Sequence, residues 1–252
     1  MMPEYPMEDI SFCVGKSRLS EQDYALLFRQ TGLGREAVNA LRKEGRQQEL
    51  LALQKGCFSH VKVGCRPNTV ISREEYLQEE DQRQKIPAVE AGDILINFNC
   101  HVFGWRSGHA AIVTDAGKRL TLEAGIPGTK TSFMSLDDWE RYPSFAVLRL
   151  KDASAQERFR IAEYAAENLV DVPYRISAGL WEEQESISGE GGGAVLSGTQ
   201  CSHLVWYAFW KFGYDLDSDG GRIVTPRDIY ESPLLEIVQI YGMGDFEKRG
   251  KS

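Results

Sequence analysis

Two distant segments carry residues that could act together as a nucleophile and its base. His109 opens the strand-like run His109-Ala110-Ala111-Ile112-Val113, and about ninety residues later Cys201 opens the helix-like run Cys201-Ser202-His203-Leu204-Val205. A thiol beside an imidazole can lose its proton and attack a carbonyl. Glu123 is the candidate third member. Runs His109–Thr114 and Lys118–Ala124 flank Asp115-Ala116-Gly117, which reads as a three-residue hairpin loop with Gly117 at its left-handed position. That register sets Thr114 opposite Lys118 and His109 opposite Glu123, with Cβ atoms about 5 Å apart on one face. A one-residue slip would separate them onto opposite faces. A carboxylate beside an imidazole fixes its tautomer and stabilises its cation. The plainer alternative is an ordinary cross-strand contact.

The elements around Cys201 fit the same chemistry. Leu204, Val205, Ala208, Phe209 and Phe212 form an apolar stripe closed by Gly213, and Cys201 begins that stripe, so its sulfur should face the core. Thr199 is the expected N-cap. The positive end of a helix favours thiolate over thiol. His203 lies two residues on, where a helix turns the side chain away, so it is read as a packing residue. Cys100, His101, Cys201 and His203 lack the spacings of a zinc site, and no metal or other cofactor is expected. Asp215, Asp217 and Asp219 open like a calcium loop, but the twelfth position is Pro226 and not a glutamate. A solvated turn is the simpler reading, with a calcium site the alternative.

Composition sets the outer bounds. The chain has 252 residues, 42% hydrophobic and 26% charged, with net charge −8. This suits one large domain, or one with an extension, and argues against nucleic acid as a partner. No apolar run reaches the roughly 18 residues of a membrane helix, so no transmembrane segment is expected. The first residues show no basic and then apolar signal sequence. The expectation is a cytoplasmic protein, with the cell envelope or secretion as the alternative had a leader been removed. The five cysteines are too sparse for a disulfide scaffold.

Along the chain, residues 19–55 read as two or three short helices broken at Gly32 and Gly34, with a capping box at Ser20 and Asp23. Residues 72–85 read as helix or loop. Ile94–Ile96 and Phe145–Leu150 read as strands, and residues 155–169 as an amphipathic helix. The expected division is a helical extension over 1–85 and a catalytic domain over 86–252. An aromatic loop with Phe98, Phe103 and Trp105 offers an apolar pocket or core. The glycine-rich stretch over 186–198 reads as a lid or as a disordered insertion.

The ordered set Gly92-Asp93-Ile94-Leu95, Gly108-His109, Leu122-Glu123-Ala124, Pro173-Tyr174 and Cys201-Ser202-His203-Leu204-Val205 resembles the circularly permuted NlpC-type papain-like proteins, in their YiiX-like branch. The resemblance covers about residues 88–230. It implies an α+β fold with an antiparallel sheet packed against the nucleophile helix. It also implies a cysteine hydrolase or acyltransferase acting on amide or ester bonds, with Cys201 as nucleophile, His109 as base and Glu123 as orienting residue. Tyr174 matches a tyrosine near the site in relatives and is a candidate oxyanion donor, alongside the Cys201 backbone N–H. Gln200 and Trp105 are further candidates for oxyanion or substrate binding. The papain glutamine has no counterpart at its usual place upstream of the cysteine. Peptides, isopeptides, cell-wall fragments, fatty amides and lipid esters all remain open as substrates. A non-catalytic protein gripping a peptide or lipid in the same cleft is the alternative, as is a helical interaction protein using residues 19–55. The oligomeric state is not legible.

Overall fold

The computed structural model describes residues 5–67, 71–77, 83–178, 196–221 and 223–243. The glycine-rich stretch over 186–198 lies outside these, save for its last three residues. The fold is mixed α+β, with two antiparallel sheets.

Four short helices come first: α1 (Ser11–Gly15), α2 (Glu21–Thr31), α3 (Arg35–Lys43) and α4 (Glu49–Cys57). The Ser20–Asp23 capping box starts α2 as expected. Gly32 ends it in a left-handed conformation, φ 73°. A Cβ at Gly32 would fall 1.9 Å from the carbonyl oxygen of Ile240, so the chain can lie against the last strand only where no side chain intervenes. Strands β1 (Val63–Pro67) and β2 (Ile71–Tyr76) follow. Residues 71–76 are therefore strand, not helix or loop. They are held by β1 on one side and by β4 (Cys100–Val102) on the other. The aromatic loop is likewise more ordered than its sequence suggests. It folds β4 onto β5 (Trp105–Arg106), giving a small sheet of order β1-β2-β4-β5.

The main sheet has six strands in the order β10-β9-β3-β6-β7-β8. Its members are β3 (Ile94–Asn97), β6 (His109–Asp115), β7 (Leu120–Glu123), β8 (Ser132–Ser135), β9 (Phe145–Leu150) and β10 (Leu235–Tyr241). Both faces of its central strands are buried, and side-chain alternation assigns them. Ile94, Ile96, Ala110, Ile112, Ala146 and Leu148 face helices α5 (Ala155–Asn168) and α6 (Cys201–Trp210). Leu95, Ala111, Val113 and Val147 face the N-terminal helices through Leu27, Val38, Leu41 and Leu50. A last helix, α7 (Pro226–Glu231), precedes β10.

Helix α6 explains His203. Its ring is buried against Trp206 and Tyr207, and Nδ1 lies 3.1 Å from the Thr199 hydroxyl. Burial depresses its pKa to about 4, so the folded protein holds it neutral. An unfolded chain takes up that proton near pH 6.5. The stability this depressed group contributes is present above pH 6.5 and is lost as pH falls through 4, at a cost of roughly 3 kcal/mol. Thermal melts of His203→Phe should therefore lose less stability between pH 7 and 4 than the parent. Parallel losses would show that the ring titrates in the native state.

Candidate functional site

The site begins where β6 begins. Gly108 turns the chain at φ 77°, and a Cβ there would sit 2.6 Å from the Asn97 carbonyl oxygen. His109 then enters β6 opposite Asn97. The hairpin differs from the expected register. Ile112 pairs with Leu122 and Val113 with Thr121, while Asp115 pairs with Leu120 after a bulge. The loop is one residue longer than predicted. Its left-handed residue is Arg119, φ 53°, and not Gly117. The cause lies at Asp115, whose carboxylate accepts the Lys118 backbone N–H at 2.9 Å and holds that turn open. The longer loop alone would flip every side chain, but the bulge flips them back. His109 and Glu123 thus share a face, though they are not directly opposed. The described pairing stops at Leu122, and the ribbon opens beyond it.

Side chains close the remaining distance. His109 Nε2 lies 2.8 Å from Glu123 Oε2. The other carboxylate oxygen accepts from the Thr121 hydroxyl at 2.6 Å and from Trp139 Nε1 at 2.8 Å. The Trp139 ring also stacks on His109, with centroids 5.4 Å apart and planes at 12°. Trp139 is held there by a 3₁₀ turn over Leu136–Arg141. Sequence reasoning missed both supports. Thr121 was legible, since alternation sets it on the face of Glu123. Trp139 lies in a short segment without periodicity and gave no signal.

Cys201 stands at the first position of α6. The N-cap is Gln200, not Thr199: its Oε1 accepts the Ser202 N–H at 3.0 Å, and its Nε2 donates to the Val224 carbonyl at 3.1 Å. Thr199 is diverted to His203. The His109 ring acts on the Cys201 sulfur from close by, and the thiol donates to Gln200 Oε1 at 3.6 Å. With Nε2 engaged by Glu123, Nδ1 is the nitrogen left for the sulfur. Burial opposes the thiolate most strongly. The His109 ring, its charge, and the backbone N–H groups of Ala110 and Ser202 outweigh that and hold the thiol below its ordinary value. Burial likewise opposes the imidazolium, but Cys201 and Glu123 raise His109 well above its ordinary value. Glu123, resisted by burial, is held down by His109, Thr121 and Trp139. All three shifts run in the direction that favours a thiolate beside an imidazolium and a carboxylate.

These residues open onto a cleft of about 1340 Å³. Tyr174 lines it, and burial, then the Cys201 charge, push its hydroxyl up to about 12, so it remains a donor. Its backbone bridges Thr199, two residues before Cys201. Gln200 also lines the cleft, with its amide engaged as the helix cap. Trp105 does not line it: the ring lies on β5 at 80% exposure. Phe98 and Val102 of the same segment do line it.

Among the described residues, Asp217, Asp219 and Asp228 bring carboxylate oxygens within 4.8 Å of one another. Asp215 falls outside this group and accepts Trp206 Nε1 at 2.8 Å. Asp228, the newcomer, caps α7 through Thr225. No cluster uniting Cys100, His101, Cys201 and His203 is found among the described residues. No described helix is long and apolar enough to cross a membrane.

No family model matches the chain, and neither does any curated protein. Among solved structures, the chain is similar to the metalloprotein yiiX from Escherichia coli O157:H7, of family DUF1105, at 15% identity and a TM-score of 0.45, over 59% of this chain and 96% of that one.

Proposed function

We propose that the protein is a permuted papain-like, YiiX-like cysteine hydrolase or acyltransferase that cleaves an amide or ester bond through Cys201, His109 and Glu123. One observation carries this reading. The Cys201 thiol is held below its ordinary value beside an imidazole whose Nε2 lies 2.8 Å from a buried carboxylate. A packing role requires no such alignment of three buried ionisable groups.

The steps follow from the positions. The Cys201 thiolate attacks the substrate carbonyl carbon; a carbon–sulfur bond forms and the carbonyl π electrons move to oxygen. Tyr174 and the Cys201 backbone N–H are the donors assigned to that oxyanion. His109 gives its proton to the departing amine or alkoxide as the carbon–nitrogen or carbon–oxygen bond breaks, which leaves a thioester. Neutral His109 then takes a proton from water or another acceptor, whose attack on the thioester returns the thiolate. Glu123 keeps the ring oriented and its cation stabilised throughout.

Alkylation provides the first check. The Cys201 thiol is lowered, whereas burial raises Cys13 and Cys100 and drives Cys57 up to about 12. In a Cys65→Ser background, iodoacetamide at pH 6.5 should therefore modify Cys201 selectively. Glu123→Gln should move the inflection of its pH profile upward by roughly one unit. Uniform modification of all cysteines would overturn the ion-pair assignment.

Acylation provides the second. Activated amides and esters should leave an acyl mass on Cys201, lost entirely in Cys201→Ala. Turnover should fall roughly tenfold or more in Glu123→Ala without unfolding. Equal adducts on the Cys201→Ala protein would refute the nucleophile, and full turnover in Glu123→Ala would refute the orienting role.

A further inference from the structure

We infer that Trp139 and Glu140 are positioning residues of the Cys201 site: Glu140 ties their turn to Arg119 and to residues 85–86, and that tie holds the Trp139 indole against His109 and Glu123 at once. The inference rests on Cys201, His109 and Glu123 acting as proposed. It gives a role to a buried carboxylate that the mechanism leaves unused.

The indole makes contacts in different directions. In its plane, Nε1–H donates to Glu123 Oε1 at 2.8 Å, and across its face it stacks on His109 with centroids 5.4 Å apart and planes at 12°. One rigid ring thus sets where the base and its carboxylate lie relative to each other. Trp139 is 1% exposed, and the Tyr142 ring meets it edge-on with centroids 5.4 Å apart. A displacement of the turn would loosen both contacts together.

The next residue holds the turn. Glu140 is buried and does not line the cleft. Its Oε1 accepts from the Ile86 N–H at 3.1 Å and from Arg119 Nη2 at 2.9 Å, and its Oε2 accepts from Lys85 Nζ at 2.9 Å. A carboxylate is buried only where donors replace the water it loses, and here the donors come from outside the turn. Arg119 also donates through Nη1 to the Ile86 carbonyl at 3.0 Å, and through Nε to Asp137 at the head of the same turn. A guanidinium spread over carboxylates in this way fixes direction as well as distance. The Lys85 carbonyl accepts in turn from Gln239 of β10 at 2.8 Å. The turn is thereby referred to the bend before β7, to the segment that leads from the small sheet's first hairpin into β3, and to the far edge of the main sheet.

Loss of Glu140 has two physical effects of opposite sign. Removing a nearby anion favours the Cys201 thiolate through space and moves its formation to lower pH. Loosening Trp139 withdraws a donor from Glu123 and the stacked ring from His109. The imidazolium then loses support, and thiolate formation moves to higher pH. The sign of the change separates positioning from bare charge. Cys100, Tyr142 and Tyr174, the other titratable groups that feel this trio, stay in place in every variant below.

The test is the pH profile of iodoacetamide alkylation at Cys201 in the full chain, in the Cys65→Ser background, together with the NMR shifts of the His109 ring protons. The chain has only four histidines, so that ring can be followed singly. Trp139→Phe keeps a ring without the N–H, and Glu140→Gln keeps the size without the charge. Each should move the alkylation inflection upward by roughly half a pH unit, and neither should move it further once Glu123→Gln is present. The stacked indole displaces the His109 protons upfield, and Glu140→Gln should reduce that displacement although the indole is retained. An inflection that Glu123→Gln moves but Trp139→Phe and Glu140→Gln leave unchanged or lower would refute the positioning role and spare the triad. Unchanged His109 protons in Glu140→Gln would refute it as well. An inflection that Glu123→Gln does not move would refute both. Should melting show that Glu140→Gln is unfolded, Lys85→Gln with Arg119→Gln releases the same carboxylate from partly exposed side chains, and the same change in the His109 protons is expected of it.

Discussion

The site depends on one constraint: three ionisable side chains buried together must each find enough partners to keep their charges. A buried thiolate, imidazolium or carboxylate alone is strongly disfavoured, and the ordinary outcome is neutralisation. Here each charge stabilises the next. The carboxylate has three donors, His109, Thr121 and Trp139. The sulfur has the imidazole and the Ala110 N–H, as well as a Ser202 N–H shared with Gln200. Removing one partner leaves the others buried and unmatched. The surrounding structure can be read as a device for keeping these partners in place.

The layers serve that end. His109 projects from the face of β6 that also carries Ala111 and Val113, which pack on the N-terminal helices. The apolar side chains of α6 pack on the opposite face, against Ala110 and Ile112. Sulfur and ring therefore meet around the end of the ribbon, where the β6–β7 pairing has stopped. That meeting needs both faces of the sheet covered and its end opened. A second buried charge pair anchors the neighbouring strands. Asp93, just before β3, is fully buried and takes two bonds of 2.7 Å from Arg149 of β9. An arginine fork on a carboxylate is among the most directional of ion pairs, and it fixes how β3 and β9 lie against each other beside β6.

Much of this was legible in the residues, and the misses have physical causes. Alternation, the Ser20 capping box and the α6 stripe are local patterns, and the elements they predict are present. The shared face of His109 and Glu123 was also legible, although the register behind it was wrong twice. An added loop residue and a bulge are each invisible to alternation, and together they restore the parity that alternation sees. Strand β2 was not legible because one of its two partners, β4, is supplied by a distant segment. Trp139 was missed for a similar reason, since its contacts to Glu123 and His109 exist only once β8 has delivered the following turn. Trp105 shows the converse: an aromatic residue in a promising loop turned out to solvent.

Two cysteines in the same cleft separate the effect of burial from that of the partners. Cys100 and Cys201 both line it, and burial opposes ionisation most strongly in each. Among the described residues the Cys100 sulfur bonds to the Tyr142 hydroxyl alone, at 3.9 Å, and its thiol is held above the ordinary value even though the His109 charge acts on it too. Cys201 differs in having the imidazole within hydrogen-bond reach and backbone N–H groups turned to it, and its thiol falls below. Charge felt at a distance is thus not enough to reverse the cost of burial, whereas donors in contact are. Polarisation of this one thiol is a property of the helix end and the open ribbon that supply those donors, and it would not follow a cysteine moved elsewhere along the same wall.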